Sequence, residues 1–350
     1  MNPEKKSILV LYNQIEKDEY ESMRQIDPAS LDFTPEYTIH VATVQEEYDA
    51  IVNALRAEGF ESSCLNLKDD ISALHRAVTQ NPPHVIFNLV EFFHNDLQRE
   101  GAVAGFYELF RMRYTGASPF CLSLCRRKGL TKRILLQSGL ATPNFLVLDR
   151  PFIDPDHGLR YPLIIKPSRQ DGSAGVESTS VVQDYSRLLN QLDDVYKRFE
   201  APILVEEFIE GKELHISVLG NNPPVALPVL EYDFSQLHDD HPPMITYDIK
   251  WNPLVLPYHK VHSICPARID SATEKLVMDH ALKAYAATFC RDYARVDLRL
   301  GVDGVPYILE VNPNPDLTEG VSFMESAEKA GLSFSETLRR IVMYALERSP

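Results

Sequence analysis

The segment ARVDLRLGVDGVPYILEVNPNPDL constrains the fold more than any other stretch of this chain. It sets Asp303-Gly304 between two alternating apolar runs, which predicts a two-residue type I′ hairpin because both central residues need positive φ. With Val302 facing Val305, counting back pairs Asp297 with Glu310 and Arg295 with Asn312, all four side chains on one face. A three-residue loop would slip that register by one. Pro313 and Pro315 cannot extend a central strand, so the strand stops there, with Glu310 and Asn312 projecting to the same side.

Two carboxylates opposed across a strand pair, with Cβ atoms about 4.5–5.5 Å apart, repel unless compensated. A divalent cation supplies the compensation. Two carboxylates and an amide suit a hard ion such as Mg²⁺, which keeps waters and bridges substrate phosphates. The competing reading is a solvated face with Arg295 as counter-charge.

The 350 residues suffice for two or three domains, and 44% hydrophobic with 24% charged residues is ordinary globular composition. A net charge of -15 works against nucleic acid and anionic membranes, which need a basic face, but not against local ATP binding. The apolar run in MNPEKKSILVLYN is too short for a signal segment or a membrane span, so a cytoplasmic protein is expected. Five cysteines without CxxC spacing read as reduced thiols; Cys121 and Cys125, one helical turn apart, read as packing.

The first third alternates strands (SILVLY, FESSCLNL, HVIFNLV) with helices over Val44–Ala57, closed by Gly59, and Ile71–Thr79, which implies a parallel sheet covered by helices. Further helices are expected over about Arg99–Phe110 and Ser118–Leu140, and strands in ATPNFLVL, YPLIIKPS and ILVEEFI. Boundaries near Ser118–Arg126 and Gly211 give three units, 1–120, 121–210 and 211–350. The segment Ser235–Cys265, broken by Pro242, Pro243, Pro253 and Pro257, is expected to be a long ordered loop over a site.

A second signal is IIKPSRQDGSAGVES: a buried strand delivering Lys166, then a loop with Gly172, Ser173 and Gly175 whose N–H groups can approach phosphates. Glu206 and Glu213 flank the end of the next strand, and YDIKW places Lys250 beside Trp251. The HDDH run at His238–His241 lacks a flanking metal pattern, His215 reads as a cross-strand or core residue, and Phe323 and Met324 read as packing for the last helix.

Together these segments resemble the ATP-grasp superfamily, and within it the D-alanine:D-alanine ligase family, from about Val85 to Leu346. FNLVE and the helix before YTGAS, Lys128 and Lys132 at the family's spacing from Tyr114, then KPSRQDGSAGV, VEEFIEGKE, YDIKW, RVDLR, EVNPNPDLT and AGLSFSETLRRIV follow in the family order. The resemblance implies a three-domain ATP-grasp fold, α/β and α+β, with an N-terminal parallel α/β domain. It implies that Lys128 and Lys166 hold the ATP phosphates. Glu206 and the backbone of Glu207 and Ile209 would read adenine, and Glu213 would hold the ribose. Asp297, Glu310 and Asn312 would carry two Mg²⁺ ions, with Mn²⁺ as an alternative. Lys250 would reach the γ-phosphate, Ser173 would lie under the transferred group and Arg295 would face the developing oxyanion. The implied reaction joins a carboxylate to an amine through an acyl phosphate, on amino-acid or peptide-like small molecules, in an enzyme that by family habit is a homodimer. Its rivals are an ATP-grasp phosphotransferase and an inactive nucleotide-binding regulator.

Three departures bear on substrate. LYNQIEKDEYESMRQID has no glycine, where the family carries a glycine-rich turn with a glutamate for the first substrate's amine. Asp316 replaces a small residue, and Val321 replaces a serine that binds the second substrate's carboxylate. An aspartate repels a carboxylate and a valine donates nothing to one, so the expected amine lacks a free α-carboxylate and the product is not D-alanyl-D-alanine. The alternative is that Asp316 caps the turn after Pro315.

Overall fold

The N-terminal alternation builds a parallel three-stranded sheet in which β1 (Ser7–Tyr12) lies between β2 (Glu61–Asn66) and β3 (Val85–Leu89). The computed structural model describes residues 5–15, 19–36, 41–200, 202–238 and 241–348. Helix Val44–Ala57 begins in a capping box, with the Glu46 N–H donating to Thr43 Oγ1 at 3.3 Å and the Thr43 N–H to Glu46 Oε2 at 2.8 Å. Helix Ile71–Thr79 begins at Asp70, which accepts the Ser72 N–H. Both helices run over the residues that their periodicity marks.

A second sheet, antiparallel, has the order β4 (Phe145–Leu148), β7 (Ile203–Glu207), β5 (Leu163–Pro167), β6 (Val181–Val182). Helix Tyr185–Phe199 covers it with the buried stripe Leu188, Leu192 and Val195. A third sheet runs β11 (His262–Ile264), β10 (Leu230–Asp233), β8 (Gly211–Leu219), β12 (Tyr293–Gly301), β13 (Pro306–Asn312), with β9 (Val225–Ala226) paired to β8. The chain end returns to the first sheet: Leu338, Ile341 and Val342 of helix Phe334–Glu347 share a core with Ile8, Val10 and Leu55.

Three expectations need correction. The single helix over Ser118–Leu140 is two, Pro119–Cys125 and Lys128–Gln137, because Arg127 leaves helical dihedrals at φ -103° and ψ 77°. The segment 235–265 holds two short helices, Tyr247–Trp251 and Leu256–Lys260, and strand β11 rather than loop alone.

The hairpin loop has three residues, not two. The Gly301 N–H donates to Val305 O, the Gly304 N–H donates to Gly301 O, and Gly304 takes the positive φ of +77° that closes such a loop. This shifts the register by one, so Leu298 pairs with Ile308. A β-bulge at Leu309 then shifts it back, so Asp297 pairs with Glu310 and Arg295 with Asn312. The extra residue leaves Ile308 and Val311 buried while Leu309, Glu310 and Asn312 turn toward the cleft.

Candidate active site

The second and third sheets enclose a cavity of about 500 Å³ lined by Ile164, Phe208, Ile209 and Leu309 on apolar walls and by Lys166 and Glu213. A second cavity, about 740 Å³, opens toward the N-terminal sheet and is lined by Asn13, Tyr48, Glu91 and Arg126. Lys128, Lys250, Arg295, Glu310 and Asp316 line both. Three cations and two carboxylates therefore mark the junction.

At that junction Arg295 donates to both oxygens of Asp297, at 2.7 and 2.8 Å, and Lys128 donates to Glu310. Asn312 Nδ2 lies 2.9 Å from Asp297 Oδ2 and 3.5 Å from Glu310 Oε1. Burial favours the neutral form of each acid, but the adjacent cation outweighs it. Lys128 helps bring Glu310 down to about 2, and Arg295 holds Asp297 well below the usual carboxylate range. Among the described residues no three His, Cys, Asp or Glu converge as a metal group. Here two carboxylates and an amide converge instead, an oxygen-rich donor set that fits a hard divalent cation.

His215, expected as a cross-strand or core residue, is buried and pairs with Asp297 across β8 and β12; it lies on the cavity wall with Nε2 3.6 Å from Asp297 Oδ1, edge-on to the Tyr232 ring. Burial lowers its pKa to about 3, so it is neutral at ordinary pH.

The carboxylate of Glu206 is occupied by lysines. Lys132 Nζ lies 2.8 Å from one oxygen and Lys166 donates to the other. Lys132 is also anchored on Thr142, which donates to Ile308 O. It is almost wholly buried, and that burial brings it down to about 8 despite Glu206. Glu207 turns outward to Arg160 at 2.9 Å, and its N–H is given to Asn144 O. Glu213 takes a hydrogen bond of 3.1 Å from Arg299, whose guanidinium lies 4.8 Å from the centre of the Phe208 ring.

The loop 168–176 carries Gly172, Ser173 and Gly175 at positive φ. Gly175 has no room for a side chain, since a Cβ would fall 2.7 Å from Phe199 and 2.8 Å from Pro167. Helix Tyr247–Trp251 closes over this loop: the Tyr247 N–H donates to Val176 O, and the Trp251 indole N–H donates to Gly172 O at 2.7 Å. Lys250 sits 4.7 Å from the centre of the Trp251 ring.

Asp316 accepts the Thr318 N–H at 2.8 Å, so it does cap its turn, yet it also lines both cavities. Val321 stands at the N-terminus of helix Ser322–Lys329 and offers no cap, while Ser322 Oγ accepts from Arg295 at 3.4 Å. The glycine-free stretch after β1 includes residues 16–18, and the HDDH run includes Asp239 and Asp240; these lie outside the described residues.

Residues 134–343, well over half the chain, match the family described as "D-ala D-ala ligase C-terminus". The chain belongs to the D-alanine–D-alanine ligase family. A D-alanine–D-alanine ligase of Carboxydothermus hydrogenoformans is 30% identical over 308 residues, 85% of this chain and 92% of its own. An uncharacterized protein of Sinorhizobium fredii is 32% identical over 305 residues, 86% of this chain and 87% of its own. Among solved structures, the D-alanine–D-alanine ligase of Bacillus anthracis complexed with ATP superposes with a TM-score of 0.73 at 20% identity, covering 98% of this chain and 97% of that one. VanG D-Ala:D-Ser ligase of Enterococcus faecalis gives 0.72 at 20% identity, covering 98% of this chain and all of that one. These likenesses establish the ATP-grasp fold.

As a member of the D-alanine–D-alanine ligase family the chain is an ATP-dependent ligase that forms carbon–nitrogen bonds. Among the described residues no helix is long and apolar enough to cross a membrane. The structure gathers Lys128, Lys166, Ser173, Glu206, Ile209, Glu213, Lys250, Arg295, Asp297, Glu310, Asp316 and Val321 around the smaller cavity, with Asn312 on the wall of the larger. Sequence reasoning left Lys132, His215 and Arg126 without a place there. Lys132 lies one helical turn after Lys128, on the face that meets β7, and this spacing was the available signal.

Proposed function

We propose that this ligase binds ATP in the smaller cavity and joins a carboxylic acid to an amine that lacks a free α-carboxylate, through an acyl phosphate. The supporting observation is the junction itself, where Lys128, Lys250 and Arg295 stand between a nucleotide-sized slot and a separate substrate chamber. We assign the units 1–120, 121–210 and 211–350 to the substrate side, the central nucleotide-binding part and the metal-bearing part, since the three sheets divide along these lines. The substrates are amino-acid or peptide-like small molecules, the setting is cytoplasmic and the enzyme is a homodimer.

Asp297, Glu310 and Asn312 would hold two Mg²⁺ ions, or Mn²⁺, which when bound neutralise phosphate charge and align the groups. Lys166, fixed by Glu206, and Lys128 neutralise the phosphates, and Glu213 accepts from the ribose. Glu207 and Ile209 contribute backbone to the base slot. The Glu207 N–H is already committed to Asn144, which leaves its carbonyl for that task.

One substrate carboxylate oxygen attacks the γ-phosphorus and ADP leaves. The amine nitrogen then attacks the acyl carbon, phosphate leaves and the nitrogen loses a proton. Lys250 and Ser173 face the transferred group, and Arg295 faces the oxyanion that forms at the acyl carbon. The helix Tyr247–Trp251 covers the loop and limits water at the acyl phosphate. Asp316 and Val321 at the amine side disfavour a carboxylate, and Asp316 favours a neutral or cationic group. Asp316→Asn should change the KM of the amine more than the KM of ATP; an equal change in both would refute this placement.

A further inference from the structure

The loop 168–176 has Gly172, Ser173 and Gly175 at positive φ and closes two turns on itself, the Ala174 N–H donating to Asp171 O and the Val176 N–H to Ser173 O. Side chains also tie it from both flanks. On one side is Arg126, which follows helix Pro119–Cys125. Its Nε and Nη2 reach the same oxygen of Glu100, at 2.8 and 2.6 Å, and its Nη1 donates to Asp171 in the loop. Glu100 is 3% exposed at the start of helix Glu100–Leu109 and makes a fixed anchor. On the other side Trp251 holds the carbonyl of Gly172, the residue after Asp171, and carries Lys250 over its ring. The Gly172 N–H closes on Asp171 Oδ1 at 2.8 Å, so the two flanking contacts fall on adjacent residues joined by this bond.

We propose that Arg126 is a positioning residue that straps the Ser173 loop to Glu100 and, through Gly172 and Trp251, sets Lys250 at the junction of the two cavities. The inference rests on the reading above that this loop covers the nucleotide phosphates. A guanidinium suits the task because its planar fork serves two acids on separate elements at once, which a lysine ammonium does with far less directional control. Arg126 touches no reacting atom; it acts through Asp171. Its effect is on the loop's population of closed geometry, and a displacement of about 1 Å at a catalytic group lowers rates by roughly a hundredfold.

Removing Arg126 would leave the buried Glu100 without a partner and could unfold the chain, so the strap is best cut at the other end. The Asp171 side chain is 39% exposed, and Asp171→Asn keeps its volume while Arg126 retains Glu100. Hydrogen exchange of the full-length protein should show the amides of 168–176 and 247–251 exchanging at least about tenfold faster in Asp171→Asn, as expected for loss of a coupling of about 1.4 kcal/mol. ATP with Mg²⁺ should bind about tenfold more weakly by titration calorimetry. Arg126→Lys, which keeps the charge and loses the fork, should show the same exchange pattern. Unchanged exchange in both segments of Asp171→Asn would overturn the strap. A wild-type protein that fails to bind ATP would instead overturn the nucleotide assignment, and the exchange comparison would still decide the strap.

Discussion

Asp297 and Glu310 stand directly opposite each other on β12 and β13, and each is met by its own cation. Arg295 comes from the same strand as Asp297 and is buried with it; Lys128 comes from the start of a separate helix and reaches Glu310, whose side chain is 25% exposed. The repulsion of the two acids is thus answered twice, once rigidly and once from an element that belongs to the other wall of the cleft. If Mg²⁺ and ATP bind as proposed, Lys128 would be the cation free to turn from the acid to phosphate.

If Glu310 is the metal ligand proposed, Glu310→Gln should lower kcat by roughly a thousandfold or more, since losing it removes several kcal/mol of charge stabilisation, and should leave the melting temperature nearly unchanged. Asp297→Asn should abolish turnover and also destabilise the fold, because Arg295 is left buried with a neutral partner, at a cost of up to about 3–5 kcal/mol. Paired kinetics and thermal melts check this; full activity of Asp297→Asn at ordinary Mg²⁺ would remove the pair from the site.

Glu206 separates two lysine charges in the interior. Glu206→Gln leaves Lys132 and Lys166 facing each other and should destabilise the protein by about 3–5 kcal/mol. Lys132→Met removes one of the repelling charges, and in the Glu206→Gln background it should recover part of the loss. Urea unfolding of the two single variants and the double variant measures the coupling.

Gly175→Ala tests the loop geometry. A left-handed conformation costs an alanine about 1–2 kcal/mol, and its Cβ would meet Phe199 and Pro167 below 3 Å. The loop must shift, and kcat/KM for ATP should fall about tenfold or more. An unchanged value would mean that this loop does not cover the phosphates.

Glu213 provides a pH test. Burial is the largest influence and favours its neutral form; Arg299 opposes it, and the net result is a rise from 4.5 to about 7. Between those values the folded protein holds a proton that the unfolded chain has released. The contribution to stability is fully present below about 4.5 and is lost as pH rises through 7. In Glu213→Gln this part of the dependence should flatten, as read from urea midpoints at a series of pH values. If Glu213 accepts from the ribose as proposed, it works ionised, and wild-type ATP affinity should fall as pH drops through 7.

The parallel sheet and its helices were legible because periodicity and caps agree there: Thr43 with Glu46, and Asp70 before Ile71. The pairing of Asp297 with Glu310 was also legible, but by a route that the structure replaces. Counting through a two-residue turn reaches the right partners because the longer loop at Val302–Gly304 and the bulge at Leu309 cancel. The break at Arg126–Arg127 carries no glycine or proline and is set by tertiary contacts, namely the pull of Glu100 and Asp171 on Arg126 and the insertion of Lys128 into the cleft. Prolines in 235–265 correctly excluded long elements, yet the five-residue helix Tyr247–Trp251 fits between Pro243 and Pro253, and Leu256–Lys260 takes Pro257 in its first turn, where a proline is tolerated. The alternating strand marks His215 as a cross-strand or core residue, which it is; its partner Asp297 is fixed only by the pairing of β8 with β12.

Ligase activity and amine preference are measured together by a panel of acids against amines, amino acids and dipeptides first, scored by ADP release and by product mass. ADP and phosphate should form only when an acid and an amine are both present, with a product weighing their sum less one water and a preference for amines without an α-carboxylate. Efficient synthesis of D-alanyl-D-alanine, or ADP release with one substrate and accumulation of a stable phosphorylated product, would contradict the proposed function.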